Sequence, residues 1–164
     1  MHIIPSCGIL YCVLKYNSIL FSIIRIKIEI RGKKMFEDPK GPIEYFSWGK
    51  YIINGEEHSK TDDIKIGKGK DIRLIGDKVT KWKERKGHIL DKSMISGIFE
   101  NKIEILIIGI GEEGMLDCPE DVKKYIYSNG IKELILEKTS EACGTYNKLH
   151  HKNKKVALLA HGTC

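Results

Sequence analysis

The chain has no Cys-x-x-Cys and no His-x-x-x-His spacing, which excludes zinc-finger and helix-borne metal motifs. Its five cysteines, Cys7, Cys12, Cys118, Cys143 and Cys164, leave an odd three once the two near the N-terminus are set aside. That count fits free thiols in a reducing compartment and excludes a disulfide framework. No charge precedes the first apolar run and no small-residue cleavage site follows it, so it does not read as a secretory signal. Internal repeats and low-complexity tracts are missing. With 41% hydrophobic and 30% charged residues, the chain is neither disordered nor collagen-like.

What is there is enough chain for one domain with a real core, at 164 residues. The formal charge is +6, but six of the 28 basic residues and only one of the 22 acidic ones fall in residues 1–34. That segment therefore holds nearly all of the excess, and the basic balance stops arguing for nucleic acid as a partner. Residues 1–34 are apolar and Ile-rich, interrupted by Pro5, Lys15 and Asn17. They are read as an N-terminal extension, either upstream of a true start at Met35 or as a weak membrane anchor. As an anchor, the cluster Arg25–Lys34 would keep the following domain on the cytoplasmic side. Residues 35–164 are read as one α/β domain, cytoplasmic in either case.

Within that domain, residues 43–82 are β-rich. Ile43–Trp48 and Tyr51–Ile53 are aromatic and β-branched, and Asn54-Gly55 supplies a two-residue hairpin turn. Asp63–Ile66, Ile72–Ile75 and Lys78–Trp82 read as further strands, separated by turns at Gly67–Lys70 and Gly76-Asp77. Asp91–Glu100 reads as a short helix capped by Asp91, with Leu90 and Ile95 as a hydrophobic staple and Gly97 as its weak point. Ile103–Ile108 is a nearly continuous apolar run, as in a strand buried on both faces. Asp117 and Glu120 fit a capping box with Pro119 in the first turn, and Asn129-Gly130 fits the end of that helix. Leu134–Leu136, a helix opened by Thr139 or Ser140, and Val156–Ala160 complete a β-α-β-α-β series. That series predicts an α/β sheet with parallel strands and right-handed crossovers.

Gly109-Ile110-Gly111-Glu112-Glu113-Gly114 follows a strand and matches G-x-G-x-x-G. A dinucleotide site would place a helix N-terminus at the third glycine. Here the helix signals come later, and Glu112, Glu113, Asp117, Glu120 and Asp121 would repel a pyrophosphate, so a tight turn is the better reading. Cys143 lies in the first turns of the helix opened by Thr139-Ser140, where a thiol can be activated, although Glu141 opposes this. A buried structural cysteine is the commoner case. His161-Gly162-Thr163-Cys164 brings an imidazole and a thiol close together in sequence. If the three strands are parallel, His161 shares an edge with Gly109, Gly111 and Cys143, and Cys143–His161 becomes a conceivable nucleophile and base. The ligand-binding candidates at that edge are Gly109, Gly111, Thr139, Cys143, Tyr146 and Asn147. His150 and His151 are adjacent and point apart on a helix, so no metal and no cofactor is assigned. Lys78, Lys81, Lys83, Arg85 and Lys86 around Trp82 read as a solvated edge strand before they read as a nucleic acid contact.

Ile105–Gly111, the helix around Pro119, Glu141–Asn147 and the Val156–Cys164 ending occur in an order that resembles the adipogenesis-associated Mth-type domain family. Phe46–Tyr51 and Val79–Trp82 extend the resemblance more weakly, so that it covers residues 35–164. Mitochondrial respiratory complex I assembly factors are among that family's relatives. The resemblance implies a compact three-layer α/β domain. Its central sheet would be mixed and partly parallel, with helices on both faces and an N-terminal β-hairpin addition. It also implies that the last strand runs antiparallel, which would move His161 away from Gly109 and Cys143. Gly144 stands where many relatives carry Arg, so no anion contact is carried over to it, and no catalytic residue is carried over either. The expected function is a non-catalytic protein-binding or assembly-factor module. An exposed apolar patch along Tyr45–Trp48 or Tyr51–Ile53 would serve it. The alternative is a small-molecule-binding protein or thiol-dependent enzyme at the Gly109–Cys143 crevice.

Overall fold

A computed structural model describes residues 34–59 and 70–164 of the chain. The readings of residues 1–33, of the Asp63–Ile66 strand and of the turn that follows it lie outside the described residues.

Period-2 alternation organises the molecule. Strands β7 (Ile105–Gly109) and β9 (Val156–Ala160) are buried along their whole length. Ile105, Ile107, Leu158 and Ala160 enter one apolar cluster, while Leu106, Ile108, Ala157 and Leu159 enter another. Successive side chains point to opposite faces, so the two clusters lie on the two sides of one sheet. That sheet has the order β6-β5-β9-β7-β8, with β5 at Ile72–Ile75, β6 at Lys78–Lys81 and β8 at Glu133–Glu137. Four shorter strands, β1 (Phe36–Glu37), β2 (Ile43–Ser47), β3 (Lys50–Ile53) and β4 (Glu56–His58), form an antiparallel sheet of their own.

The helices divide between the faces. α1 (Lys92–Ile95), a 3-10 helix (Ser96–Asn101) and α2 (Glu120–Ser128) cover one side through Met94, Ile95, Ile98, Val122 and Ile126. α3 (Thr139–His151) covers the other through Ala142, Cys143 and Tyr146, together with Ile43, Phe46, Tyr51 and Ile53 of the small sheet. This is the expected three-layer mixed α/β architecture. No helix among the described residues is long and apolar enough to cross a membrane.

β9 pairs parallel with β7, and β7 parallel with β8, while β5 runs antiparallel to β9. The parallel order read from the β-α-β-α-β pattern therefore holds. The antiparallel last strand implied by the family resemblance is corrected: only the β5 neighbour of β9 is antiparallel. The hairpin at Asn54-Gly55 is as expected, with Ile53 opposite Glu56 and both turn residues at positive φ, 51° and 77°.

Three local readings change. Asp91 caps the first helix, its Oδ1 accepting from the N–H groups of Ser93 at 2.8 Å and Met94 at 3.2 Å. After one α-turn, however, the segment tightens into the 3-10 helix at Ser96. A Cβ on Gly97 would lie 2.9 Å from the Arg73 guanidinium, so glycine there admits that side chain at the cost of helix propensity. Asp117 does not cap α2, which starts after Pro119. Its backbone instead pairs with the 88–90 segment, accepting from the Leu90 N–H and donating to the His88 carbonyl. α3 begins at Thr139 with no cap from its own sequence, and Glu112 supplies one from across the sheet edge. The Glu112 carboxylate accepts from the Ser140 N–H at 2.6 Å and from the Ser140 hydroxyl at 3.0 Å. A carboxylate also suits the positive end of the helix dipole.

Candidate functional site

The carboxyl ends of parallel strands are where ligands bind in open α/β sheets, so the ends of β7 and β9 are the place to look. Gly109, Gly111 and Thr139 gather there and are engaged with one another, whereas Tyr146 and Asn147 lie farther along α3 and bond elsewhere. Gly109 lies under Thr139, whose hydroxyl oxygen would sit 2.8 Å from a Cβ at that glycine. Gly111 has φ of +88°, and a Cβ there would fall 1.6 Å from the Cys164 carbonyl oxygen. The glycine pattern thus makes a tight turn that lets residues 163–164 pass close by. The fully buried Thr139 hydroxyl accepts from the Gly111 N–H at 3.0 Å and donates to the His161 carbonyl at 2.6 Å. Asn147 is equally committed. Its amide spans the Ile43 N–H and carbonyl at 3.0 and 2.8 Å and reaches Asp38 at 2.9 Å. Tyr146 is buried and donates its hydroxyl to the Gly76 carbonyl at 2.8 Å. Phe36 packs against Gly144, where a Cβ would lie 3.3 Å from its ring.

Cys143 is fully buried in the apolar cluster, and burial pushes its thiol well above the usual cysteine range, with the Glu112 charge adding to the shift. Such a thiol is a poor nucleophile. His161 does lie at the same edge, its N–H bonded to the Gly109 carbonyl at 2.9 Å. Its ring, however, faces other partners than Cys143. Asp71 stands one residue beyond the Ile72–Ala160 pair, which brings it beside His161. Asp71 Oδ1 lies 2.8 Å from His161 Nδ1 and accepts the Gly162 N–H at 3.0 Å, while Oδ2 accepts from Arg85. Burial alone would raise the Asp71 carboxyl. The hydrogen bonds from His161 and Arg85, with the Arg85 charge, outweigh that and hold it below the usual aspartate range.

Beyond the ring, His161 Nε2 lies 3.6 Å from Cys164 Sγ, and His88 Nε2 lies 3.3 Å from the same sulfur. The His161 and Cys164 nearness was legible from their spacing. Asp71 and His88 were not, because His88 is 76 positions from Cys164 and no local spacing marks it. Only the register of β5 on β9 and the backbone pairing of 88–90 with Asp117 bring them in.

Other sequence features resolve simply. The Tyr45–Trp48 and Tyr51–Ile53 ribbon is not an exposed patch, since Phe46, Tyr51 and Ile53 are buried. The exposed large apolar side chains among the described residues are Ile89, Met115 and Tyr127. Strand β6 is a sheet edge with Lys78 and Lys81 exposed, as a lysine-defended edge should be. Trp82, the aromatic of that basic cluster, is buried in the core.

Thiol accessibility gives a direct check of this arrangement. Cys118 is buried, and that burial pushes its thiol up to about 11. Cys164 is partly exposed. Alkylation of the native chain followed by peptide mapping is expected to label Cys164 early and to spare Cys118 and Cys143 until denaturant is added. Early labelling of Cys143 would show that the edge opens.

Comparison with known proteins places the chain in a family. No curated protein matches it. Solved structures with the same fold include a conserved hypothetical protein, PH1505, from Pyrococcus horikoshii OT3. It is 24% identical with a TM-score of 0.61, covering 74% of this chain and 98% of that one. An outer membrane protein from Bartonella henselae is 22% identical with a TM-score of 0.60, covering 80% of this chain and all of that one (100%). A Mth938-like domain from Bordetella pertussis is 15% identical with a TM-score of 0.51, covering 79% of this chain and 92% of that one. At these identities the likeness shows the fold. Residues 43–161 match the family model described as protein of unknown function DUF498/DUF598, and the chain belongs to that family.

Proposed function

We propose that this chain is a non-catalytic protein-binding module of the assembly-factor kind, working in a cytoplasmic, reducing compartment. Its contact surface is the ledge made by residues 88–90 and 115–117. What carries the reading is a pair of large apolar side chains on these adjoining segments, Ile89 at 65% and Met115 at 53% exposure. Exposed Glu113 and Asp117 flank them. Apolar side chains rimmed by charge mark interaction surfaces more often than isolated ones do. The complementary partner is a protein that offers an apolar side chain with basic neighbours.

The small-molecule or thiol-enzyme reading at the Gly109–Cys143 crevice draws less support. Thr139 and Asn147 spend their polar groups on the chain itself, and Cys143 is buried. The test is photo-crosslinking from position 89 or 115 of the full chain, with and without Ile89→Glu and Met115→Glu. A specific crosslinked protein that is lost in the double variant, with circular dichroism unchanged, supports the module. The same crosslinks in both chains would remove the ledge.

A further inference from the structure

The His88, His161 and Cys164 cluster, which borders the ledge through His88, asks for an explanation that the apolar side chains of the ledge do not give. Their ligand atoms all lie within 4.8 Å of one another, although their positions span most of the described chain. A tetrahedral zinc ion, with Zn–S of about 2.3 Å and Zn–N of about 2.0–2.1 Å, holds N and S about 3.6 Å apart. The sulfur here stands 3.3 Å from one imidazole nitrogen and 3.6 Å from the other. Both sulfur-to-nitrogen separations are therefore near those of one coordination sphere, with the two nitrogens within 4.8 Å of each other.

The surroundings add the parts that a metal-binding imidazole needs. A carboxylate accepts hydrogen bonds, so Asp71 favours the proton on His161 Nδ1 and leaves Nε2 to face the Cys164 sulfur at 3.6 Å, with the Thr163 hydroxyl alongside at 3.4 Å. A carboxylate behind the ligating histidine is the usual outer-shell support of zinc. Asp71 is in turn fixed by Arg85 and the Gly162 N–H, and His161 is buried, so the ligand is held in one orientation. The loop that carries Glu112, Glu113 and Asp117 joins the site through two backbone bonds, Glu112 N–H to Thr163 and Asp117 N–H to His88. Its carboxylates, which spoil the edge for a pyrophosphate, favour a cation.

We propose that His88 Nε2, His161 Nε2 and Cys164 Sγ form a site for a borderline-soft divalent metal ion of the zinc class, with Asp71 as the residue that orients His161. Two imidazoles and a thiolate select such an ion over magnesium or calcium. Three protein ligands are the number found in zinc sites whose fourth position takes water or an external group.

Cobalt substitution tests this. The tag-free full chain is titrated with Co²⁺ and then with Zn²⁺. The expected result is one equivalent of Co²⁺ with tetrahedral d–d bands and a thiolate-to-cobalt charge-transfer band, all displaced by Zn²⁺. Cys164→Ser should abolish the charge-transfer band. His88 is exposed, so His88→Ala should leave the fold intact while weakening binding by more than about tenfold, the loss that even an outer-shell change produces. Asp71→Asn should weaken binding about 10- to 100-fold with the charge-transfer band retained. The proposal is overturned if the wild type shows no charge-transfer band, which would leave only a hydrogen-bonded thiol–imidazole cluster. It is overturned equally if the band survives Cys164→Ser or if His88→Ala leaves the affinity unchanged, since either would place the metal on other residues.

Discussion

Trp82→Ala is expected to cost the fold about 3–5 kcal/mol, as large-to-small changes at buried aromatics do. Trp82 is the largest of the fully buried side chains and packs in the cluster with Leu90, Met94, Ile95 and Ile98. Its indole N–H donates to the Met94 carbonyl at 2.8 Å, tying the end of β6 to α1. Truncation removes the apolar area and the hydrogen bond together and leaves a cavity in the cluster. Trp82→Phe separates the two contributions, since it keeps most of the area and gives up a hydrogen bond worth about 1 kcal/mol. Urea unfolding followed by circular dichroism measures both. An alanine variant with an unshifted midpoint would mean that this indole is not a core element.

Thr139→Val is the second large effect, expected at about 2–4 kcal/mol, because it strands two buried backbone groups that each cost about 1–3 kcal/mol when unpaired. Valine keeps the shape of threonine, so the loss reports the hydroxyl alone. That hydroxyl bridges the Gly111 N–H and the His161 carbonyl, joining the turn after β7 to the segment after β9. Thr139→Ser, which retains the bridge, should recover most of the stability in the same urea titration. If valine unfolds at the wild-type midpoint while serine falls, the methyl group and not the bridge is what the site needs. The same change should loosen residues 161–164, so early alkylation of Cys164 is expected to quicken in Thr139→Val.

The two substitutions differ in how far the sequence announced them. Trp82 ends a recognisable strand, whose basic neighbours read as a solvated edge and leave the direction of the ring open. In the structure Trp82 lies just past β6 and turns inward into the cluster of Leu90, Met94, Ile95 and Ile98, where the Met94 carbonyl accepts its indole N–H. Thr139 was legible as a helix-start residue, yet its hydroxyl caps nothing in its own helix. Threonine at a helix start has competing partners, and a buried Gly111 N–H without another acceptor wins over a cap that Glu112 can provide for the Ser140 N–H instead.

The sequence by itself determined the elements and most of the fold. Unbroken apolar runs at Ile105–Ile108 and Val156–Ala160 identify strands covered on both faces. Asn54-Gly55 identifies a hairpin, Asp91 a cap, and the β-α-β-α-β order a parallel trio. Each of these rests on contacts within a few residues or on the chirality of a crossover, and such contacts are written locally. Only the tertiary structure decided which face Trp82 takes, that Glu112 caps a helix 28 positions away, and that Asp71, His88, His161 and Cys164 meet. Those depend on strand order and register. A residue at the end of one strand gains its neighbours from whichever strand lies alongside, and no local pattern encodes that choice.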